Sequence, residues 1–531
     1  MVLGRICLRN KDEDDMTNNR ETSQSLKPIL EDLGRGFIGI HTEEGNFLTW
    51  RIFKREIEGK SRNTLHTPAI KIYKNGSLIA EVKDCGNYLD ASGTENDFYE
   101  IQVGDAPKEP LLQSIGQNSY IEIPIQKPGD GTTPIGDVYT YSANDMSVGD
   151  ADGDGEYEFY LKWDPSNAHD VSHSGYTGNC YIDCYKLSGQ LLWRLDLGPN
   201  IRAGAHYTQF MVMDFDGDGK AEMSVKTAPG SNITRYDADG RIISREFITL
   251  PQRDIEMGIN HESHFVCSKQ DYLDHLVQIF KTWQEHPMVA SGQWPKTLEE
   301  CFGLDVQYTY PLQDEDAKSL VDYFVDVYAP MRSTNNKLRD IEGFIYEGPE
   351  YLTMFSGDGQ EIETIDFPFP RQDDGLMWGD YAMPRIEPCN RVDRFLSGVA
   401  YLDGVHPHLV ICRGYYTRTT ITAYLFQEGK HQEVFRVDSG HVLMSNPFQD
   451  GPHEQEGSDP VYGTLAGQGN HSLSVADIDQ DGYQEIIYGA AIIDHDGTLY
   501  QSLYGELPNG ERAKLGHGDA LHVGKFDPKM I

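Results

Sequence analysis

One acidic segment, Asp-x-Asp-x-Asp-Gly-x-x-Glu, occurs three times in the chain, each time between two runs of β-type sequence. The copies are Asp150, Asp152, Asp154, Gly155 and Glu158; Asp214, Asp216, Asp218, Gly219 and Glu222; and Asp477, Asp479, Asp481, Gly482 and Glu485. Alternate carboxylates on a tight loop turn their oxygens inward, the glycine permits the bend, and the last glutamate closes a cage suited to a hard cation such as Ca²⁺. Glu156, Lys220 and Tyr483 each offer a backbone carbonyl to their cage. An EF-hand shares the first half of this pattern, but its closing glutamate comes at position twelve and helices flank it. Here the flanks are MSVGD and YEFYLKW, FMVMD and EMSVKT, LSVAD and EIIYGAAI, which read strand, loop, strand. Asp-Gly clusters also make plain hairpin turns, but three copies at one internal spacing favour several bound calcium ions.

Acidic residues number 84 against 45 basic, a net charge of −39, which argues against nucleic acid and anionic membrane surfaces as partners. The 53 glycines and 30 tyrosines suit many short strands joined by turns. No run is long enough to span a bilayer, and the opening MVLGRICLRNKDEDDMTNNRETSQS lacks the apolar core of an export signal. Eight cysteines (Cys7, Cys85, Cys180, Cys184, Cys267, Cys301, Cys389, Cys412) show no CxxC spacing for zinc. Cys180 and Cys184 fall on one expected strand, too far apart to bridge, so buried free thiols are expected.

Residues 1–28 are polar and read as disordered. Residues 29–118 read as a small β-sandwich, with strands in GFIGIHT, NFLTWRIF, IKIYKNGSLIAEV and FYEIQV and a hairpin at Asn75-Gly76. Residues 119–531 carry a second repeat, strand, Gly-containing turn, strand, in CYKLSGQLLWRLDLG, TRYDADGRIISRE, LTMFSGDGQEIETI, AYLFQEGKHQEVFRV and AIIDHDGTLYQS. Strand units that cannot bury their own faces stack as blades, so an all-β calcium-binding β-propeller is expected. An α-helical insertion interrupts it at about 250–338, where SKQDYLDHLVQIFKTWQEH and DEDAKSLVDYFVDVYAP place apolar residues at helical spacing. Its aromatic residues read as its own packing, and a lid over a cleft is an open alternative.

Long motifs then carry a resemblance. VGDADGDGEYEFYLKWDPSNAHD, IDCYKLSGQLLWRLDLGPNIRAGAHYTQFMVMDFDGDGKAEMSVKTAPG, NRVDRFLSGVAYLDG, RGYYTRTTITAY, GQGNHSLSVADIDQDGYQEIIYGAA and GHGDALHV resemble the rhamnogalacturonan lyases of polysaccharide lyase family eleven. The resemblance covers the chain from about residue 30, the helical insertion apart. It implies an eight-bladed, calcium-rich propeller behind a small N-terminal β domain. The implied activity is β-elimination in rhamnogalacturonan I, the pectin backbone of alternating rhamnose and galacturonate. Family members continue past GHGDALHV with further blades, so the propeller is expected to be incomplete here. That makes an inactive calcium-stabilised pectin-binding protein the alternative, and a glycoside hydrolase a weaker one.

The proton on C5 of galacturonate is weakly acidic, so its removal needs the carboxylate neutralised and the enolate-like charge stabilised, by a cation or an arginine. Lys162, Arg202, His206, Arg413 and Tyr416 are the catalytic candidates, and Asn167, Tyr415, Arg418 and Asn470 the substrate-binding ones. Asn167 matches an asparagine that contacts sugar in the family. Arg391, Asp393 and Arg394 read equally as substrate ligands or as an ion-pair network. His471, His517 and Asp519, with His522 nearby, resemble family positions that help hold metal, although histidine is an unusual calcium ligand. The expected partner is rhamnogalacturonan I or its oligosaccharides, met by a monomer with neither nucleic acid nor membrane. Localisation stays open, since the resembled enzymes commonly act outside the cell and no export signal is seen.

Overall fold

A computed structural model describes residues 27–30, 34–53, 56–57, 66–112, 114–116, 118, 120–371 and 375–524. The expectation of disorder for 1–28 falls almost wholly outside them. β-Strands dominate, and helices are confined to short turns and to the stretch between Gln252 and Arg332.

Near the N-terminus, two antiparallel sheets enclose a small core. One is built of Ile38–Thr42, Gly45–Thr49 and Asn87–Asp90, the other of Ile70–Lys74, Ser77–Val82, Tyr99–Val103 and a short Glu109–Pro110 edge. Alternating apolar residues of both sheets, Leu48, Trp50, Ile70, Ile72, Tyr99 and Ile101, fill the space between them.

Four larger antiparallel sheets follow, beside two short two-stranded ones. The first runs Tyr141–Gly149, Glu158–Pro165, Tyr181–Tyr185 and Leu191–Asp196, and is extended by Asn232–Tyr236 and Ile242–Phe247. The second runs Phe210–Met213, Glu222–Thr227, Tyr351–Phe355 and Glu361–Asp366. The third is Phe395–Ala400, His408–Arg413, Thr420–Gln427 and Lys430–Asp438, the fourth Ser474–Ala476, Glu485–Tyr488, Ala491–Ile493 and Leu499–Ser502.

The first strands of these sheets lie side by side in chain order. Their approach is close: a Cβ on Gly149 would meet the Ala221 Cβ at 2.6 Å and a Val212 methyl at 2.8 Å. Separate apolar cores sit between consecutive sheets, around Trp193 and Met223, around Leu352 and Leu409, and around Tyr415 and Ile486. The Trp193 indole donates to the Gly357 carbonyl at 2.8 Å and pins the first sheet to the second.

The helices follow the last strand of the first sheet, which ends at Phe247, and lead into the third strand of the second at Tyr351. Ser268 caps the helix Lys269–Lys281 through a reciprocal capping box with Asp271. Its Tyr272, Leu276 and Phe280 meet Leu320, Val321 and Phe324 of a second helical segment in one aromatic-rich core. Among the described residues the cysteines are free thiols, six of them buried and Cys85 half-buried.

Candidate active site

Each acidic segment joins the first strand of a sheet to its second, and all three are tied the same way. The closing glutamate accepts from the backbone of the residue after the first aspartate: Ala151 to Glu158 at 2.8 Å, Phe215 to Glu222 at 2.8 Å, Ile478 to Glu485 at 2.6 Å. The first aspartate accepts from the loop glycines, Gly155, Gly219 and Gly482, each with a positive φ. Carboxylate oxygens of Asp150, Asp152 and Glu158, of Asp214, Asp216 and Asp218, and of Asp477, Asp479 and Glu485 come within 4.8 Å of one another. Burial and the neighbouring carboxylates push Glu158 to about 7, Glu222 to about 8 and Glu485 to about 7. Glu485 Oε1 is buried and has no hydrogen-bond partner. An orphaned carboxylate oxygen among like charges is what a hard cation would satisfy, so this donor set fits calcium. Asp154, Glu222 and Asp481 lie on the same loops outside those close groups of carboxylate oxygens, and Glu156, Lys220 and Tyr483 lie on the loops as well.

A different constellation gathers at the other end of the first strands. His206, Arg394 and His471 precede the strands that begin at Phe210, Phe395 and Ser474, while Asp170, Tyr415 and Tyr416 follow second strands. Neighbouring sheets thereby deliver these side chains to one place. His206 Nε2 and Arg394 Nη1 flank the Asp170 carboxylate at 3.7 and 3.6 Å. The His206 and His471 rings lie 5.3 Å apart, and Tyr416 Oη stands 3.3 Å from His471 Nε2. The Arg394 guanidinium lies over the Tyr416 ring at 5.0 Å. Burial, then Arg394, pushes His206 down to about 4, and burial with Arg391 does the same to His453. These imidazoles are therefore neutral near pH 7, while burial raises Tyr416 and keeps its hydroxyl protonated. Arg394 Nη1, Arg391 Nε and the Tyr415 hydroxyl are buried without a hydrogen bond, so the cluster holds unused donors.

The other residues singled out from sequence have protein partners. Lys162 is buried, with its ammonium on Asp145 of the adjacent strand. Arg202 donates to the Asp170 carbonyl at 3.2 Å and to Tyr207 Oη at 2.9 Å, and so supports the Asp170 loop. Asn167 braces the same loop by donating to the Tyr176 carbonyl and accepting from Gly178. Arg418 forks onto Asp438, and Asn470 Oδ1 accepts from Ser472. His471 Nε2 lies 3.7 Å from Asp519, and the His471 and His517 rings are 6.1 Å apart. With Asp519 they form no compact ligand group among the described residues, and His522 is exposed.

Arg413, 1% exposed, belongs to a buried ionic network. Glu350 accepts from Lys226 at 2.7 Å and from Arg413 at 2.8 Å, and Asp393 accepts from Arg371 at 2.6 Å. Asp170, Lys226, Glu350, Arg371 and His453 escaped sequence reasoning, because long-range packing alone brings them together. Of Arg391, Asp393 and Arg394, the middle residue joins this network, Arg391 pairs with Glu387 at 3.2 Å, and Arg394 faces the cluster.

Known proteins share this architecture. Residues 120–249 and 330–531 match the family described as rhamnogalacturonan lyase family 11, C-terminal domain, and residues 28–109 match the rhamnogalacturonan I lyases beta-sheet domain. The chain is 39% identical over 512 residues to rhamnogalacturonan exolyase YesX of Bacillus subtilis (strain 168), covering 94% of this chain and 61% of that protein. It is 36% identical over 505 residues to rhamnogalacturonan endolyase YesW of the same organism, covering 94% and 60%. The crystal structure of exotype YesX superimposes with a TM-score of 0.64 at 38% identity over 95% of this chain and 62% of that one. The Bacillus licheniformis rhamnogalacturonan lyase PL11 gives 0.62 at 36% identity, over 94% and 64%. The chain thus spans about three fifths of the length of the curated relatives it matches.

Proposed function

This chain belongs to rhamnogalacturonan lyase family 11, and from that premise we propose that it cleaves the rhamnose–galacturonate bond of rhamnogalacturonan I by β-elimination. The observation that carries the reading is the meeting of neutral His206, protonated Tyr416 and Arg394, whose Nη1 has no hydrogen bond, around Asp170. In this reading the Arg394 guanidinium takes the galacturonate carboxylate, withdrawing charge from C5 and stabilising the enolate-like state. His206 accepts the C5 proton. As the C4–O4 bond breaks and the C4–C5 double bond forms, the Tyr416 hydroxyl protonates the departing O4. Asp170 is a positioning residue that holds His206 and Arg394 at a common spacing.

Calcium belongs to the proposal as well. Asp150, Asp152 and Glu158, Asp214, Asp216 and Asp218, and Asp477, Asp479 and Glu485 would hold the ions. A bound ion supplies charge neutralisation, which fixes each strand–loop–strand unit and with it the first strands that carry the site. The four sheets read as blades of a propeller, supported by their adjacent first strands and the cores between them.

Product mass tests the reaction class. Rhamnogalacturonan I should yield oligosaccharides ending in an unsaturated uronate. Products each carrying an added water would instead mean hydrolysis.

A further inference from the structure

The helices between Gln252 and Arg332 lie between the two stretches that match the family. They leave the first sheet at Phe247 and join the second at Tyr351, at the end from which His206 projects. Between the helix Lys269–Lys281, the turn Trp283–Glu285 and the segments 346–350 and 366–371 lies an open groove of about 960 Å³. That is at the upper end for small-molecule sites and gives room for more than one sugar ring. His206, Arg394, Tyr416 and His471 are not among its lining residues. Glu350 and Arg371 line its inner side and also line a cavity of about 20 Å³ that reaches Arg202 and Asp393.

The lining has two characters. The Tyr346 and His275 rings are stacked at 3.8 Å, and Pro349, Phe367 and Pro368 continue an apolar wall. Exposed Arg436, its guanidinium over Phe369 at 4.9 Å, and exposed Glu285 and Glu347 add polar groups at the edge. Flat apolar faces suit the C–H faces of pyranose rings, and guanidinium and carboxylate groups suit hydroxyls. Mixed charge disfavours a polymer with a carboxylate on every ring. A chain that alternates a neutral 6-deoxy sugar with a uronate fits both characters.

We propose that this groove is a second carbohydrate-binding site, separate from the cleavage site, that holds a segment of rhamnogalacturonan I backbone and keeps the enzyme on the polymer. The ligand class rests on the function proposed above. The test compares the whole protein with Glu285→Trp, which fills the groove mouth from an exposed position, and with Arg436→Ala, each checked for an unchanged melting temperature. Two quantities are read: retardation in gels containing rhamnogalacturonan I or homogalacturonan, and the rate of unsaturated product from polymer and from a short oligosaccharide.

The expected result is retardation of the wild type by rhamnogalacturonan I and not by homogalacturonan. Both variants should bind the polymer about tenfold more weakly, with KM raised on polymer and the rate on the short oligosaccharide unchanged. Retardation that both variants retain overturns the groove, whatever the rate. Equal retardation by homogalacturonan overturns the alternating-chain specificity. Retardation lost in the variants, from a wild type that makes no product, supports the groove and overturns the lyase reading instead.

Discussion

Lys186 places its ammonium 2.6 Å from the Asp152 carboxylate, inside the first acidic loop. It also reaches Asp154 at 3.2 Å and Glu158 at 3.9 Å, and its pKa is raised chiefly by the hydrogen bond to Asp152. A calcium ion entering this loop has to displace a built-in cation. Among the described residues no lysine pairs with the loops at Asp214 and Asp477, and the latter has His495 4.0 Å from Asp481.

The first prediction follows from that contact. Calorimetric titration of chelator-stripped protein with calcium should resolve one weaker site beside tighter ones, and Lys186→Met should tighten it about tenfold, as one lost competing contact implies. An unchanged titration in Lys186→Met contradicts this.

A second concerns Glu350, which Lys226, Arg371 and Arg413 surround at 2.7, 3.6 and 2.8 Å. Burial opposes its charge, but Arg413 and Lys226 hold its carboxyl well below the usual range, while burial pulls Lys226 down. Glu350→Gln leaves three buried cations facing Asp393 alone and should cost about 3–5 kcal/mol in denaturant unfolding. A loss under about 1 kcal/mol would show that solvent relieves the network.

The acidic loops were legible because their spacing is local, and so was the helix at Lys269, whose apolar residues recur at helical intervals. His206, Tyr415, Tyr416 and His471 stand in local motifs of the sequence, and the structure brings them together. What the sequence hid was pairing across distance. Asp145 occupies Lys162 and Glu350 occupies Arg413, so two cations expected at substrate are held by protein instead. Lys186 opens an ordinary hairpin turn, KLSGQ, and nothing local marks it as a neighbour of Asp152.

A third prediction is a pH dependence in the N-terminal sheets. Burial raises the Asp90 pKa, but donation from Tyr99 at 2.6 Å, Lys74 at 2.9 Å and Ser92 outweighs it and sets about 2, against 3.8 unperturbed. A folded value below the unfolded one stabilises above pH 3.8 and is lost as pH falls through about 2. Asp90→Asn should therefore cost about 2 kcal/mol at neutral pH, and urea unfolding should show the difference closing near pH 2. A gap that does not change with pH contradicts the ionic account.

A fourth lies in the third acidic loop. Gln480 holds φ 68°, where the first two loops have Gly153 at 79° and Gly217 at 78°. An L-residue in the left-handed region costs about 1–2 kcal/mol, partly offset by the entropy glycine loses on folding. Gln480→Gly should raise stability by up to about 1 kcal/mol in thermal unfolding. A destabilised variant would mean the glutamine side chain makes a compensating contact.

Elimination at the His206–Arg394–Tyr416 cluster makes a 4,5-unsaturated uronate, so the decisive measurement is the growth of its absorbance on rhamnogalacturonan I, for wild type and Tyr416→Phe, in calcium. The wild type should generate absorbance, and the variant, equal in melting temperature, should be slower in kcat by about 10²–10³ with KM little changed. No absorbance from the folded wild type, or a variant as fast as wild type, would contradict the account.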